Sequence, residues 1–382
     1  MLSPPHLPQW RCESGAPAPK RVVYGDDTLS ADAAYRMMCE GTAVLWQGDF
    51  HNARQLLQAL SRRTQKRSHK KSTRLASEQA RDIAQTFHLH RQALGQRARI
   101  LGLLLIPLDA DYRIPLRRAP DVHDACSHAW GSASDQASMV SLRELLGLVG
   151  AYEWRKKGVE IPALGEPPHN RIYPHYGVFS PVRGEYIDLV ANMPMRHHTL
   201  AFDIGVGTGV LSALLVKRGV QHVIGTDQDL RALACARENL ERLGVLQKIE
   251  LVDTHLFPTG LAPLIVCNPP WVPARPTSPI EHAVYDEDSK MLRGFLAGLR
   301  DHLTPEGEGW LILSDLAEHL GLRSRDNLTR WIDEGGLEVL ERTDIKPRHG
   351  KTTDGTDPLH SARVAEVTSL WRLGIKAKSQ GA

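Results

Sequence analysis

From Leu200 onward, short β-rich runs alternate with helical ones, and this alternation constrains the fold more than any other feature of the chain. Strand candidates fall at Thr199–Asp203, His222–Asp227, Lys248–Val252, Leu264–Cys267 and Gly309–Ser314. Helical candidates lie between them at Val210–Arg218, Leu230–Arg242 and Asp288–His302. Strands that alternate with helices predict a parallel sheet joined by crossover helices, a doubly wound α/β architecture. Late runs at Leu337–Arg342 and Val367–Leu373 are predicted to close the sheet as a hairpin-like pair. A long polar loop containing KPRHGKTTDGTD joins them.

The first strand runs into Asp203-Ile-Gly205-Val-Gly207-Thr-Gly209, and a helix follows at once. Glycines let the backbone turn sharply and let a ligand come close, with helix N–H groups pointing at it. The second strand ends at Asp227, where a carboxylate can accept both hydroxyls of a ribose. A nucleoside-containing cofactor at the carboxyl edge of the sheet is expected. A dinucleotide fold uses GxGxxG, whereas this loop is GxGxG. Asp203, directly ahead of the loop, would repel a pyrophosphate but suits a cationic ligand. S-adenosylmethionine, with its amino group and sulfonium, is such a ligand. A nicotinamide-dependent oxidoreductase, whose ribose Asp227 would also suit, is the remote alternative. Asp253, after the third strand, is placed to accept from an adenine amino group, although Asp is also a common loop starter. Tyr176 and Phe179, ahead of the first strand, are expected to cover the cofactor.

The fourth strand ends in Cys267-Asn268-Pro269-Pro270-Trp271. Two successive prolines cannot continue a parallel strand and impose a rigid backbone. Asn268 then offers a side-chain oxygen and Pro269 a main-chain one. Two acceptors at fixed spacing suit a planar NH2 group, whose delocalised lone pair is a poor nucleophile. Holding both hydrogens orients the nitrogen and stabilises the charge that develops as a methyl arrives. Trp271 supplies a flat face on which a base or amide can stack. Asn268, Pro269, Pro270 and Trp271 are thus the candidate catalytic group. Read alone, the same four residues are a proline turn with a buried Trp.

In DIGVGTG, Asp227 and NPPW, over about residues 176–315, the chain resembles class I S-adenosylmethionine-dependent methyltransferases of the amino-methylating group. That group carries (N/D)PP(Y/F/W) in this place. Within it the HemK-like enzymes, which methylate a glutamine side-chain amide, are similar. They carry Pro-Arg-x-x-Thr-Glu before the first strand, where Phe179-Ser-Pro-Val-Arg-Gly-Glu-Tyr stands here. Two departures bear on the acceptor: Trp271 replaces the usual Tyr, and Gly184 replaces the usual hydroxyl residue. Base N-methyltransferases acting on adenine N6 or guanine N2 share the architecture. The resemblance implies a mostly parallel, Rossmann-like sheet of seven strands whose last strand runs antiparallel.

The rest of the chain is read from charge and punctuation. Prolines 162, 167, 168 and 174 suggest a boundary near residue 170. An N-terminal, mostly helical α+β domain (1–170) would then help recognise the substrate, and the methyltransferase domain would span 171–382. The first 28 or so residues, rich in Pro, Ser and Gly, read as a loose arm. Ser30 caps a helix that stops at Gly41. A second helix fits Asn52 to Arg63, a polar one runs to about Arg99, Ile100–Leu108 looks like a strand, and a further helix fits Met139–Lys157. Lys plus Arg number 47 against 44 Asp plus Glu, a net charge of +3, which excludes a uniformly basic protein but not a local patch. Arg62, Arg63, Lys66, Arg67, Lys70, Lys71 and Arg74 form such a patch, with no acid among them. It would attract the phosphates of rRNA, tRNA or DNA. A solvated linker is the bland alternative.

Five cysteines without a CxxC pair argue against a disulfide framework or a four-cysteine zinc site, and fit a reducing cytoplasm. No secretory h-region is seen at the N-terminus. His88, His90, His123, Cys126 and His128 have spacings that close no ligand set, so no metal is expected. The expected activity is methyl transfer from S-adenosylmethionine to a planar NH2 of a nucleic-acid base. The alternative is a glutamine N5-methyltransferase acting on a translation factor or ribosomal protein.

Overall fold

A computed structural model describes residues 8–76, 82–276, 281, 283–347 and 357–377, and the side chains of all of these except 66–76. The chain divides into two compact units, Met1–Glu153 and Trp154–Ala382. The proline-rich stretch that suggested a boundary near residue 170 falls within the second unit. Among the described residues no helix is long and apolar enough to cross a membrane.

The first unit holds a five-stranded sheet of β1 (Gln9–Arg11), β2 (Arg21–Gly25), β3 (Thr42–Trp46), β4 (Leu104–Leu108) and β5 (Ser138–Ser141), in the order β1-β5-β4-β3-β2. Strands β2, β3 and β4 run parallel, and β5 is antiparallel to β4. Its helices are α1 (Ala31–Cys39), α2 (Phe50–Ala76), α3 (Ile83–Leu101), α4 (His123–Trp130) and most of α5 (Leu142–Lys157). Ser30 caps α1 by accepting from the Ala33 N–H.

Helical residues outnumber strand residues in this unit, which is the mostly helical α+β composition expected. Three expectations are corrected here. The loose arm over 1–28 contains β1 and β2, because Val22 finds a buried place beside β3. Ile100 and Leu101 close α3, so the strand begins only at Leu104. Met139 lies in β5, whose four residues are all buried, and the helix starts at Leu142.

The basic run falls inside α2. No Gly or Pro interrupts Phe50–Ala76, and its Arg, Lys, Gln and Leu residues are good helix formers. Neither α2 nor α3 contains an Asp or Glu.

The second unit opens with a small antiparallel ribbon, β6 (Val159–Glu160) and β7 (Arg171–Ile172). Its main sheet has seven strands: β8 (Leu200–Ile204), β9 (His222–Asp227), β10 (Ile249–Asp253), β11 (Ala262–Cys267), β12 (Leu303–Ser314), β13 (Leu337–Ile345) and β14 (Thr368–Ile375). The order is β10-β9-β8-β11-β12-β14-β13. The first five are parallel to their neighbours, and β14 runs antiparallel between β12 and β13. This is the mostly parallel, doubly wound sheet expected from the alternation, with its antiparallel last strand. The polar loop between β13 and β14 lies largely outside the described residues.

Helices α6 (Glu185–Asn192), α7 (Val210–Lys217), α8 (Leu230–Arg242), α9 (Lys290–His302), α10 (Leu316–His319), α11 (Arg325–Glu334) and α12 (His360–Ala365) complete the unit. Both faces of the sheet are covered, which is why β11 reads as a continuous apolar run. Leu264 and Val266 enter one core cluster, while Ile265 and Cys267 enter the other. The strand order reverses between β8 and β11, which places a ligand crevice at the carboxyl ends of those two strands.

Candidate functional site

The glycine loop leaves β8 and is fastened to the end of β9. Gly205 N and Val206 N both donate to the Thr226 carbonyl, at 2.9 and 2.8 Å. Gly205, Gly207 and Gly209 have φ of +79°, +53° and +81°. Two of them differ in what surrounds them. A Cβ on Gly209 would lie 3.1 Å from Leu240 and 3.3 Å from Ala236 of α8, so this glycine lets α8 pack against the loop. A Cβ on Gly207 would meet nothing nearer than the Gly205 carbonyl at 3.9 Å, so the loop is open there. That opening gives a ligand backbone-close access, as a nucleoside cofactor needs.

Asp227 ends β9 beside this opening. Gly207 N donates to its Oδ2 at 3.1 Å, and Asp229 N to its Oδ1 at 3.0 Å. Each oxygen retains a further lone pair for a ribose hydroxyl. Burial raises the Asp227 pKa above the usual carboxylate range, and the two backbone N–H groups oppose that rise. Asp253 ends the neighbouring strand in direct register with Asp227 and is exposed. The two acids expected to hold ribose and adenine thus stand side by side.

Asp203 is 1% exposed beneath α7, with Ser212 Oγ donating to its Oδ2 at 2.6 Å. Burial pushes its pKa up to about 6; the Ser212 hydrogen bonds oppose the rise, and the nearby Asp227 charge adds to it.

The segment ahead of α6 crosses the first turns of α8. Val178 packs with Ala232 and Cys235, and Arg231 Nη1 donates to the Tyr176 carbonyl at 3.4 Å. Phe179 is half-buried against the core cluster that contains Val206 and Val210. A residue that sequence reasoning missed binds these parts together. Asn239 of α8, fully buried, accepts from Tyr173 N at 2.7 Å and donates to the Thr208 carbonyl at 3.1 Å.

On the other side of the crevice, Cys267 of β11 pairs with Ile204 of β8, so Asn268 and Gly205 emerge next to each other. Trp271 Nε1 donates to Asn268 Oδ1 at 2.9 Å. The Arg183 guanidinium lies 5.3 Å from the Trp271 ring centroid. Arg183 is held by Glu185 Oε1 and Glu366 Oε1, each at 3.0 Å. Ser314 Oγ at the end of β12 donates to the same Glu366 oxygen at 2.8 Å. Arg323, 4% exposed, reaches the carbonyls of Trp271 and Ser314 at 3.5 and 3.4 Å, and burial lowers its pKa. The Trp271 N–H is thus engaged by Asn268, and Arg183 lies over one face of its ring.

Sequence reasoning did not find Arg323 at the Trp271 carbonyl, or Glu185, Glu366 and Ser314 as the frame that holds Arg183 over Trp271. A lone Glu ahead of a strand carries no signal of the Arg it will meet. Beyond Trp271 the chain bridges Val272 to Tyr285 and returns to α9 through Asp286, whose Oδ2 accepts from Met291 N at 2.9 Å. Met291 in turn overlies Gly205, where a Cβ would stand 2.7 Å from its Cε.

Residues 170–325 match the family model described as Methyltransferase small domain. Over 179 residues the chain is 25% identical to the tRNA1(Val) (adenine(37)-N6)-methyltransferase of Shewanella putrefaciens, covering 44% of this chain and 72% of that protein. Over 79 residues it is 39% identical to the ribosomal protein L11 methyltransferase of Vibrio parahaemolyticus, covering 20% of this chain and only 27% of that relative. Among solved structures, the ribosomal protein L11 methylase of Lactobacillus delbrueckii subsp. bulgaricus aligns over 50% of this chain and 77% of that one, at 19% identity and a TM-score of 0.35. The family match and the curated relatives indicate an S-adenosylmethionine-dependent methyltransferase, with S-adenosylmethionine as the methyl donor.

Proposed function

We propose that this chain methylates the exocyclic amino nitrogen of a nucleic-acid base, adenine N6 or guanine N2, in RNA or DNA. The observation that carries the reading is the emergence of Asn268 beside the glycine loop, with its carboxamide held by Trp271. S-adenosylmethionine supplies an electrophilic methyl on its sulfonium. Asp227 would hold the ribose, Asp253 the adenine amino group and Asp203 the methionine end. Gly207 would allow close approach, Gly205 and Gly209 would shape the loop around it, and Phe179 would cover the cofactor. Asn268 Oδ1 and the Pro269 carbonyl would each take one hydrogen of the acceptor NH2, and Pro270 keeps that turn rigid. Holding both hydrogens aims the nitrogen and stabilises the positive charge it gains while the N–C bond forms and the S–C bond breaks. The surplus proton then leaves to water, so no covalent enzyme intermediate is required.

The relative that acts on a tRNA adenine N6 supports a base acceptor. The acid-free helix α2, which contains Arg62, Arg63, Lys66, Arg67, Lys70, Lys71 and Arg74, supports a polyanionic partner. A second reading, methylation of a glutamine in a ribosomal protein or translation factor, is favoured by one contact. Arg183, from the element that resembles the HemK-like enzymes, lies over Trp271.

A label-transfer assay tests the two. Protein and methyl-labelled S-adenosylmethionine are incubated with extract from cells lacking the gene, and the product is treated separately with nuclease and protease. Label released only by nuclease supports the base reading. Label released only by protease replaces it with the glutamine reading.

A further inference from the structure

Trp271 is engaged in three ways. Its Nε1–H donates to Asn268 Oδ1, the Arg183 guanidinium lies over its ring, and its apolar body packs against the core clusters on both faces of the sheet. An indole N–H can only donate. The atom of the Asn268 carboxamide that faces it is therefore the oxygen, and this sets which way round the amide lies. A phenol in the same place can donate or accept, and would leave the choice open. Arg183 is itself forked between Glu185 and Glu366, whose side chains are 3% and 0% exposed. A guanidinium held at two of its nitrogens cannot swing away, so it confines the ring beside it.

We propose that Trp271 is a positioning residue for Asn268, locked by the Arg183–Glu185–Glu366 frame, and that its N–H rather than its flat face sets its contribution to methyl transfer. This rests on the reading of Asn268 as the residue that orients the acceptor nitrogen. One lone pair of Oδ1 is taken by Trp271 and one remains. With the Pro269 carbonyl, that leaves one acceptor for each hydrogen of a planar NH2. Preorganisation of this kind acts on the rate of the chemical step rather than on the binding of either substrate.

Trp271→Phe keeps a flat face and removes the N–H; Trp271→Leu removes both. With unmodified total RNA as the probe, positioning predicts that Trp271→Phe lowers kcat by about tenfold to a hundredfold, with KM and the cofactor Kd within about threefold. Trp271→Leu should add little to that loss. A stacking platform predicts the reverse, with Trp271→Phe near wild type and Trp271→Leu losing through KM, and that result overturns the proposal. Arg183→Met should reproduce part of the kcat loss, about threefold to tenfold, and Arg183→Lys less of it.

A second readout needs no acceptor. The chain has eight tryptophans. The 15N indole resonance that disappears in Trp271→Phe should shift, and its proton exchange faster, in Asn268→Ala. An unmoved resonance overturns the proposal even where methyl transfer to RNA proceeds. A shifted resonance in a protein that methylates RNA supports it. A shifted resonance in a protein that methylates neither RNA nor protein keeps the Trp271–Asn268 pair and overturns the acceptor role of Asn268.

Discussion

The two halves of the crevice are built by different means. On the glycine-loop side the donors are backbone N–H groups, and most of the bonds join neighbouring strand ends about 20 residues apart: Thr226 receives Gly205 and Val206, and Asp227 receives Gly207 and Asp229. On the Asn268–Trp271 side the geometry rests on side chains from distant segments, with Arg183 and Glu366 separated by 183 residues. Backbone grammar of the first kind depends on glycine and on strand ends, so it is written locally. A charged frame of the second kind is stabilised only once the whole sheet has closed, because an unpaired partner would be a buried charge. The glycine-loop half is therefore legible from glycines and strand ends, while the Asn268–Trp271 half takes shape only in the closed sheet.

The largest effect that would break this division is on Asn268. Asn268→Ala should lower turnover by about a thousandfold, the scale of losing an oriented polar contact to the transition state, while cofactor affinity measured by calorimetry changes only a few-fold. Loss of cofactor binding with the rate at saturation retained would show that the two halves are not separate.

Neutralising Lys66, Arg67, Lys70 and Lys71 to Gln asks whether acceptor recognition extends beyond the crevice. If these positions meet phosphates, the slope of log affinity for RNA against log salt should flatten by about 3, with kcat at saturating RNA unchanged. An unaltered slope would leave α2 as a solvated helix and confine recognition to the second unit.

Asp227→Ala sharpens the comparison from the other side. If Asp227 holds two ribose hydroxyls, as proposed, its loss, worth about 1.5–3 kcal/mol, should weaken cofactor binding by roughly ten to a hundredfold while kcat at saturation stays within a few-fold. Equilibrium titration and single-turnover rates measured on the same variant separate the two outcomes.

What the sequence made legible follows the same line. The β8–β9–β11 order of events, the glycine loop and Asp227 were readable because period, glycine spacing and strand ends are local properties. NPPW was readable as a rigid turn, but not the indole bond to Asn268, which depends on a rotamer. The frame of Glu185, Ser314, Arg323 and Glu366 was hidden because nothing in a single sequence pairs residues so far apart. In the first unit, β1 and β5 were missed for a related reason. Three and four residues give too short a window for alternation to show; β5 is decided by burial and by pairing with β4, and β1 by pairing with β5.

Asp203 gives the smallest effect on cofactor binding and the one that joins stability to function. Its pKa is raised by burial to about 6, against 3.8 for an ordinary aspartate. The folded state therefore holds a proton that the unfolded state has released between roughly pH 4 and 6, so stability falls as pH rises through that window and is flat above it. The full difference is about 3 kcal/mol, carried at neutral pH as the free energy of a buried, ionised carboxylate. Asp203→Asn should remove this slope, so denaturant titrations at pH 4.5 and 7 should show the variant gaining on wild type at the higher pH. The same ionisation supplies the negative charge expected to face the cationic end of the cofactor. Cofactor affinity should accordingly rise up to about tenfold as pH increases through 6 in wild type, and stay level in Asp203→Asn. A wild-type affinity flat across that range would mean that Asp203 serves only to fasten Ser212 and α7, and that the charge recognising the cofactor comes from Asp227 alone.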